Sequence, residues 1–270
     1  MRQKRQLPDS LTHDHRRTDH GGIETSIPSL IRLSPPSAAP RLLCLPYAGG
    51  HGELYRRWVR DLAGRAEVWA ADLPGHFRRG DLDPVTDPDA VIAEITAEAM
   101  ALMDRPLVLF GHSMGALLAF EVVRNLEAAG HEVSALIASA CLPPHLREAR
   151  PPTGAESDQE LVALMRLWGT IDQEVLSNRD FLDAILPPLR ADLALCDRYR
   201  YRPGAVRAPV MALAGTADVK TPLRDVEAWQ RCAADWRGVQ VIPGPHLFLT
   251  SAHTHVLAAV TTFLAELSKD

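Results

Sequence analysis

PLVLFGHSMGALLAFEVVRNLEAAG, residues 106–130, is the stretch that decides the fold of this chain. Leu107–Phe110 is a short apolar run that leads straight into Gly111-His112-Ser113-Met114-Gly115, and a helical period follows at once. The reading is strand, tight turn, helix, with a serine at the apex. So sharp a reversal forces Ser113 toward unfavourable backbone angles, at a cost of roughly 1–3 kcal/mol. Gly111 and Gly115 flank it because side chains there would collide with the neighbouring strand and helix. The turn lifts the hydroxyl clear of the sheet, above the positive end of the following helix. A bare G-x-S-x-G carries little weight. One placed between an apolar strand and an amphipathic helix carries much more.

Outward from this elbow the chain alternates. Arg41–Leu45 (RLLCL) and Glu67–Ala71 (EVWAA) read as buried strands, and Ser29–Leu33 as a short edge strand. Helical patterns cover Glu53–Ala63 and about Pro88–Met103. Downstream, Ala135–Ser139, Pro209–Ala214 and Val239–Pro243 read as strands, with helices expected near Pro222–Ala234 and over Thr254–Leu267. Such alternation predicts an α/β chain with a mostly parallel sheet covered on both faces. Between about 143 and 208 the alternation stops. A loop and two helices occupy that stretch, the second expected to be interrupted at Pro187-Pro188, and together they read as a helical lid inserted after a strand. Residues 1–27 mix both charges with His13, His15 and His20 and show no apolar period, the signature of a disordered tail rather than a metal cluster. The expected domain therefore spans 28–270.

The composition excludes several classes. At 270 residues, 46% hydrophobic and 23% charged, the chain can bury one large core. A net charge of −5 without a basic block gives nucleic acid no footing. No apolar run approaches the roughly 20 residues of a membrane span, and no secretion signal is evident. Cys44, Cys141, Cys196 and Cys232 lack metal-ligand spacing, and Cys44 and Cys141, in apolar contexts, read as reduced core residues of a cytoplasmic protein.

A serine hydroxyl needs a base to take its proton, and the base needs a carboxylate to fix its tautomer. On a sheet of this kind the partners follow the serine in the order Asp, His, each on a loop after a strand. Asp218, after PVMALAG, and His246, after VQVIPG, meet those conditions. Their rivals do not. His112 adjoins the serine and should point away; His51 and His76 precede it; His253 and His255 sit at the entry to the last helix; Asp225 and Asp235 fall within or after a helix. The oxyanion formed on attack needs two backbone N–H groups. Met114 supplies one, and the Pro46–Gly50 turn the other, through Ala48 or alternatively Tyr47.

LCLPYAGG, DLPGHFRR, LFGHSMGALLAFEV, LPPLRADL, YRYRPG and GPHLFL, in that order, resemble the stand-alone type II thioesterases of polyketide and nonribosomal peptide pathways, of the α/β-hydrolase superfamily. The resemblance runs from about residue 29 to the end. It implies Ser113, Asp218 and His246 as the catalytic triad and Met114 with Ala48 as oxyanion donors. It further implies hydrolysis of acyl groups from the phosphopantetheine arm of an acyl or peptidyl carrier protein, clearing stalled chains, with no metal and no organic cofactor. A monomer is expected, with neither nucleic acid nor membrane as partner. The chain departs from the family pattern at His76, where relatives often have arginine, and at Leu247 in place of a phenylalanine. Tyr47, His76, Phe77 and Leu247 are accordingly candidate substrate contacts, and Arg78, Arg79 and Arg190 could meet an acidic carrier.

Three other readings compete: a detached product-releasing thioesterase or cyclase, a carboxylesterase or lipase of the same fold, and a non-catalytic binding protein. Thioester against ester preference, and free acid against cyclic product, separate the enzymes. Three competent triad positions disfavour the last.

Overall fold

The computed structural model describes residues 27–147, 157–168 and 178–269. The expected tail, with His13, His15 and His20, lies almost entirely outside the described residues, as do parts of the expected lid loop. Among the described residues the strands are β1 (Leu30–Arg32), β2 (Arg41–Leu45), β3 (Glu67–Ala71), β4 (Leu107–His112), β5 (Ala135–Ser139), β6 (Val206–Gly215) and β7 (Ala233–Ile242). They form one sheet in the order β1-β3-β2-β4-β5-β6-β7, parallel throughout except for β1. The α-helices are α1 (Trp58–Asp61), α2 (Pro88–Met100), α3 (Met114–Ala128), α4 (Asp158–Trp168), α5 (Arg179–Arg198), α6 (Leu223–Val226), α7 (Phe248–Ser251) and α8 (His253–Leu267). This is the mostly parallel sheet covered on both faces that the alternation predicts, and it is of the α/β-hydrolase type that the resemblance implies. None of the described helices is long and apolar enough to cross a membrane.

Two cores lie on opposite faces, and the strand period of two assigns residues between them. Leu43, Leu45, Leu107 and Leu109 face α2 and α3, while Leu42, Cys44, Val108 and Phe110 face Tyr55, Trp58 and α8. Each central strand is therefore buried on both sides, which is why β4 reads as a continuous apolar run rather than an alternation. All four cysteines are free thiols, with Cys44, Cys141 and Cys232 buried.

The strand order reverses between β2 and β4, and open parallel sheets form their clefts at such a switch point. Leu45 pairs with Gly111, so the turn after β2 and the serine turn after β4 leave the sheet at one level.

Some expectations require correction. Glu53–Ala63 is not one helix but a 3-10 turn over Gly52–Tyr55 followed by α1. The break lets the Tyr55 hydroxyl donate to the Leu45 carbonyl at 2.9 Å. The helix expected near Pro222–Ala234 is replaced by the short α6 and a 3-10 segment, Glu227–Cys232. Val226, Trp229 and Cys232 are all fully buried, and a repeat of three suits the 3-10 form, in which residues i and i+3 eclipse. β7 consequently begins at Ala233, six residues before the expected Val239, and contains Asp235. Its early half is half-exposed edge strand, with no apolar run to betray it. The double proline does not interrupt α5, which runs through Pro187 and Pro188. Two backbone bonds are forfeited there, against burial of Leu186, Pro188, Leu189 and Leu195 on the helix's inner face.

Candidate active site

Ser113 has φ 53° and ψ −114°, the strained backbone that the elbow predicts. The two glycines around it are there for space. A Cβ on Gly111 would lie 2.2 Å from the Gly115 carbonyl oxygen, and one on Gly115 would lie 2.1 Å from that of Leu45. The second contact matters for chemistry, because it lets the elbow press against the end of β2 and brings Met114 beside the Pro46–Gly50 turn. Gly115→Ala should therefore lower both the melting temperature and the turnover. Overpacking of about 1–3 kcal/mol is expected, checked by thermal unfolding followed by circular dichroism. Phe77 (φ 38°) and Ala140 (φ 50°) are the other non-glycine residues with positive φ among those described. With Ser113 they follow β3, β4 and β5, so the strain collects along one rim of the sheet.

At that rim the separated residues meet. The Ser113 hydroxyl lies 2.9 Å from His246 Nε2, and His246 Nδ1 lies 2.8 Å from Asp218 Oδ2. The loops carrying Asp218 and His246 are tied together: Thr216 N–H donates to the Ile242 carbonyl, and Ala217 N–H to that of Gly244, each at 2.9 Å. Asp218 Oδ1 accepts from the N–H groups of Lys220 and Thr221, at 2.9 and 3.1 Å, and Oδ2 also accepts from the Thr221 hydroxyl. Burial would push this carboxyl up, but the His246 and Thr221 hydrogen bonds, with attraction to the imidazole, outweigh it and hold it below its ordinary value. An ionised carboxylate accepts only, so Nδ1 carries the ring proton and Nε2 is left with a lone pair facing Ser113. For His246, burial is the largest influence and lowers the pKa below its ordinary value; Asp218 opposes this, and the charge of Lys220 adds to it. The imidazole is thus neutral at neutral pH, as a proton acceptor must be.

Met114 opens α3, where a backbone N–H has no partner inside the helix. Across from it, Gly50 N–H donates to the Tyr47 carbonyl (2.8 Å) and Gly49 N–H to Asp192 Oδ2 (2.7 Å), with the N–H of Ala48 between Tyr47 and Gly49. What assembles here is a hydroxyl with a base, a base with an orienting carboxylate, and a turn of amides opposite a helix N-terminus. Such a site can attack a carbonyl carbon and hold the oxyanion that results.

With this geometry, the family comparison decides what the chain is. The thioesterase domain model matches residues 40–264. The chain belongs to the thioesterase family. The activity that comes with membership is hydrolysis of thioesters. This thioesterase is 34% identical over 218 residues to thioesterase PikA5 of Streptomyces venezuelae, covering 79% of this chain and 77% of that one. It also superposes on the type II thioesterase BorB of the borrelidin biosynthetic cluster, with a TM-score of 0.80 and 33% identity over 87% of this chain and 97% of that one. RedJ, the thioesterase of the prodiginine pathway of Streptomyces coelicolor, gives 0.78 and 32% over 86% and 89% of the two chains.

Other candidates fall differently. Tyr47 is half-buried, with its ring edge-on to His112. Phe77 is 60% exposed and stacks on His51. Leu247 is buried in the core, and His76 is buried with both ring nitrogens engaged, so neither offers an open face to a substrate. The three arginines are all occupied. Arg79 is buried between the Asp72 carbonyl and Glu94, Arg78 pairs with Asp72, and Arg190 with Asp158.

His112 does point away from the serine, but its importance was not legible. Its Nε2–H donates to the His246 carbonyl and its Nδ1 accepts from the Ser139 hydroxyl, both at 2.9 Å. Burial and the neighbouring His246 push its pKa down to about 3, so it stays neutral and braces the loop that carries His246. Trp168, at the end of α4, sits 6.3 Å ring to ring from His246, and Lys220 Nζ lies 4.8 Å from the Trp168 ring centroid. A tryptophan inside an amphipathic helix gives no sequence sign of approaching a histidine 78 residues away.

Proposed function

We propose that this thioesterase hydrolyses acyl groups from the phosphopantetheine arm of acyl or peptidyl carrier proteins, removing stalled or aberrant chains in a polyketide or nonribosomal peptide pathway. The observation that carries the reading is the unbroken relay Ser113–His246–Asp218 in a chain of this family. Ser113 attacks the thioester carbonyl while His246 takes its proton; the oxyanion is held by the Met114 and Ala48 N–H groups. The pantetheine thiol leaves with a proton from His246, which next activates water to release the free acid and restore Ser113. A thiolate is a good leaving group, so nucleophile activation and oxyanion stabilisation carry most of the work. Residues 28–270 act as one catalytic domain, and the helical segment between β5 and β6, with α4 and α5, serves as its lid. That the enzyme works as a monomer in the cytoplasm belongs to the same reading.

The direct test loads carrier proteins with a panel of acyl groups and follows their release by mass spectrometry. Free acid from several acyl-carriers supports the reading. Faster cleavage of p-nitrophenyl esters than of acyl-pantetheine thioesters would favour the carboxylesterase alternative, and a cyclic product would favour the cyclase. The pH dependence supplies a further check. Protonation of His246 removes the base, so kcat/KM should fall tenfold per unit on the acid side, with a midpoint below the usual histidine value of about 6.5.

A further inference from the structure

One element of the lid reaches the oxyanion turn directly. Leu189 and Asp192 lie one turn apart on α5 and both touch Gly49. The glycine has φ 77°, a Cβ there would lie 3.2 Å from Leu189 Cδ1, and its N–H donates to Asp192 Oδ2 at 2.7 Å. The same carboxylate oxygen meets His76 Nε2 at 3.0 Å, and the other ring nitrogen of His76 faces the Pro74 carbonyl at 3.1 Å. Both side chains are buried, at 4% and 2% exposure. A carbonyl and a carboxylate only accept, so a ring lying between them carries protons on both nitrogens.

We propose that Asp192 is a positioning residue for the oxyanion turn, locked by an ion pair with doubly protonated His76, so that the lid helix aims the Ala48 N–H only while that proton is in place. The inference rests on the proposed role of Ala48 as an oxyanion donor. Its surroundings favour the cation. Burial alone would lower the His76 pKa, but the hydrogen bond and charge of Asp192, the Pro74 carbonyl and Asp72 lift it above its ordinary value. From the turn after β2, His51 opposes, yet burial lowers its own pKa and leaves it neutral. On the His76 turn itself, Arg78 and Arg79 are cations, engaged by Asp72 and Glu94. A group whose folded pKa is raised gives its stabilisation below that pKa and loses it as pH rises through it. The lock therefore holds below the raised pKa of His76 and releases as the pH climbs through it.

A displaced amide weakens transition-state binding more than substrate binding, and misplacement by about 1 Å can cost of order 100-fold. The test measures kcat and KM against pH for acyl-carrier hydrolysis, after subtraction of uncatalysed thioester loss. The wild-type enzyme should show an alkaline fall in kcat. In His76→Gln that fall should vanish, with kcat low and flat. Asp192→Asn should lose roughly tenfold to 100-fold in kcat, with KM within about twofold. A flat wild-type kcat up to pH 9, an alkaline limb that persists in folded His76→Gln, or an unchanged kcat in folded Asp192→Asn would each overturn the proposal. The first outcome needs no variant, so misfolding cannot shield the idea. Failure of the underlying reading shows up separately, as turnover that survives loss of Ser113.

Discussion

Ser113→Ala is expected to lower kcat for an acyl-carrier thioester by roughly 10^6-fold, the scale seen when a triad nucleophile is removed. The reason is local. The Ser113 oxygen lies 2.9 Å from His246 Nε2, and among the described residues it is the hydroxyl hydrogen-bonded to that base. Folding should be little affected, because an alanine at φ 53° keeps the same backbone strain and the elbow's glycines still provide the clearance. Intact-protein mass spectrometry offers a second readout: the wild-type enzyme should gain the mass of the acyl group on incubation with a slowly hydrolysed acyl-carrier, and the variant should not. Turnover within about 100-fold of wild type would mean that another group performs the attack.

Asp218→Asn is expected to cost about 10^4-fold in kcat, by the tautomer effect seen in other triads. Here the direction follows from the hydrogen bonds. Asp218 Oδ1 accepts from two backbone N–H groups, so an asparagine must place its carbonyl oxygen there and its NH2 where Oδ2 was. That NH2 faces His246 Nδ1, which must then accept, and the ring proton moves to Nε2. The nitrogen facing Ser113 becomes a donor and can no longer take the serine's proton. Geometry survives and chemistry is lost. Unchanged thermal unfolding together with a large fall in kcat would establish this; a loss under tenfold would show that the carboxylate has no part in orienting the ring.

Local chemistry made much of this legible. Arg41–Leu45, Glu67–Ala71 and Ala135–Ser139 are strands over the residues read from the sequence, because strands buried on both faces carry consecutive apolar side chains through their interiors. The elbow was equally plain, since only glycine fits at positions 111 and 115. Asp218 and His246 could be picked out because both follow strands in an order that one sheet topology requires. The half-exposed start of β7 was illegible, its residues showing neither a run nor an alternation. The course of α5 through two prolines was hidden too, because propensity is set by the chain alone and burial of the helix's inner face is not.

Taken by itself, the sequence determined the order of strands and helices, the strained serine turn and the identity of the two groups that could act with it, all of them matters of local sterics and chain order. Tertiary structure alone decided what those groups touch. That His112 braces the His246 loop depends on how the loop after β7 meets the end of β4, while the 6.3 Å approach of the Trp168 ring to His246 and the reach of Asp192 to His76 and Gly49, 116 and 143 residues away, depend on how α4 and α5 pack. Contacts of that kind are fixed by shape and burial between distant segments, and no periodicity or spacing along the chain encodes them.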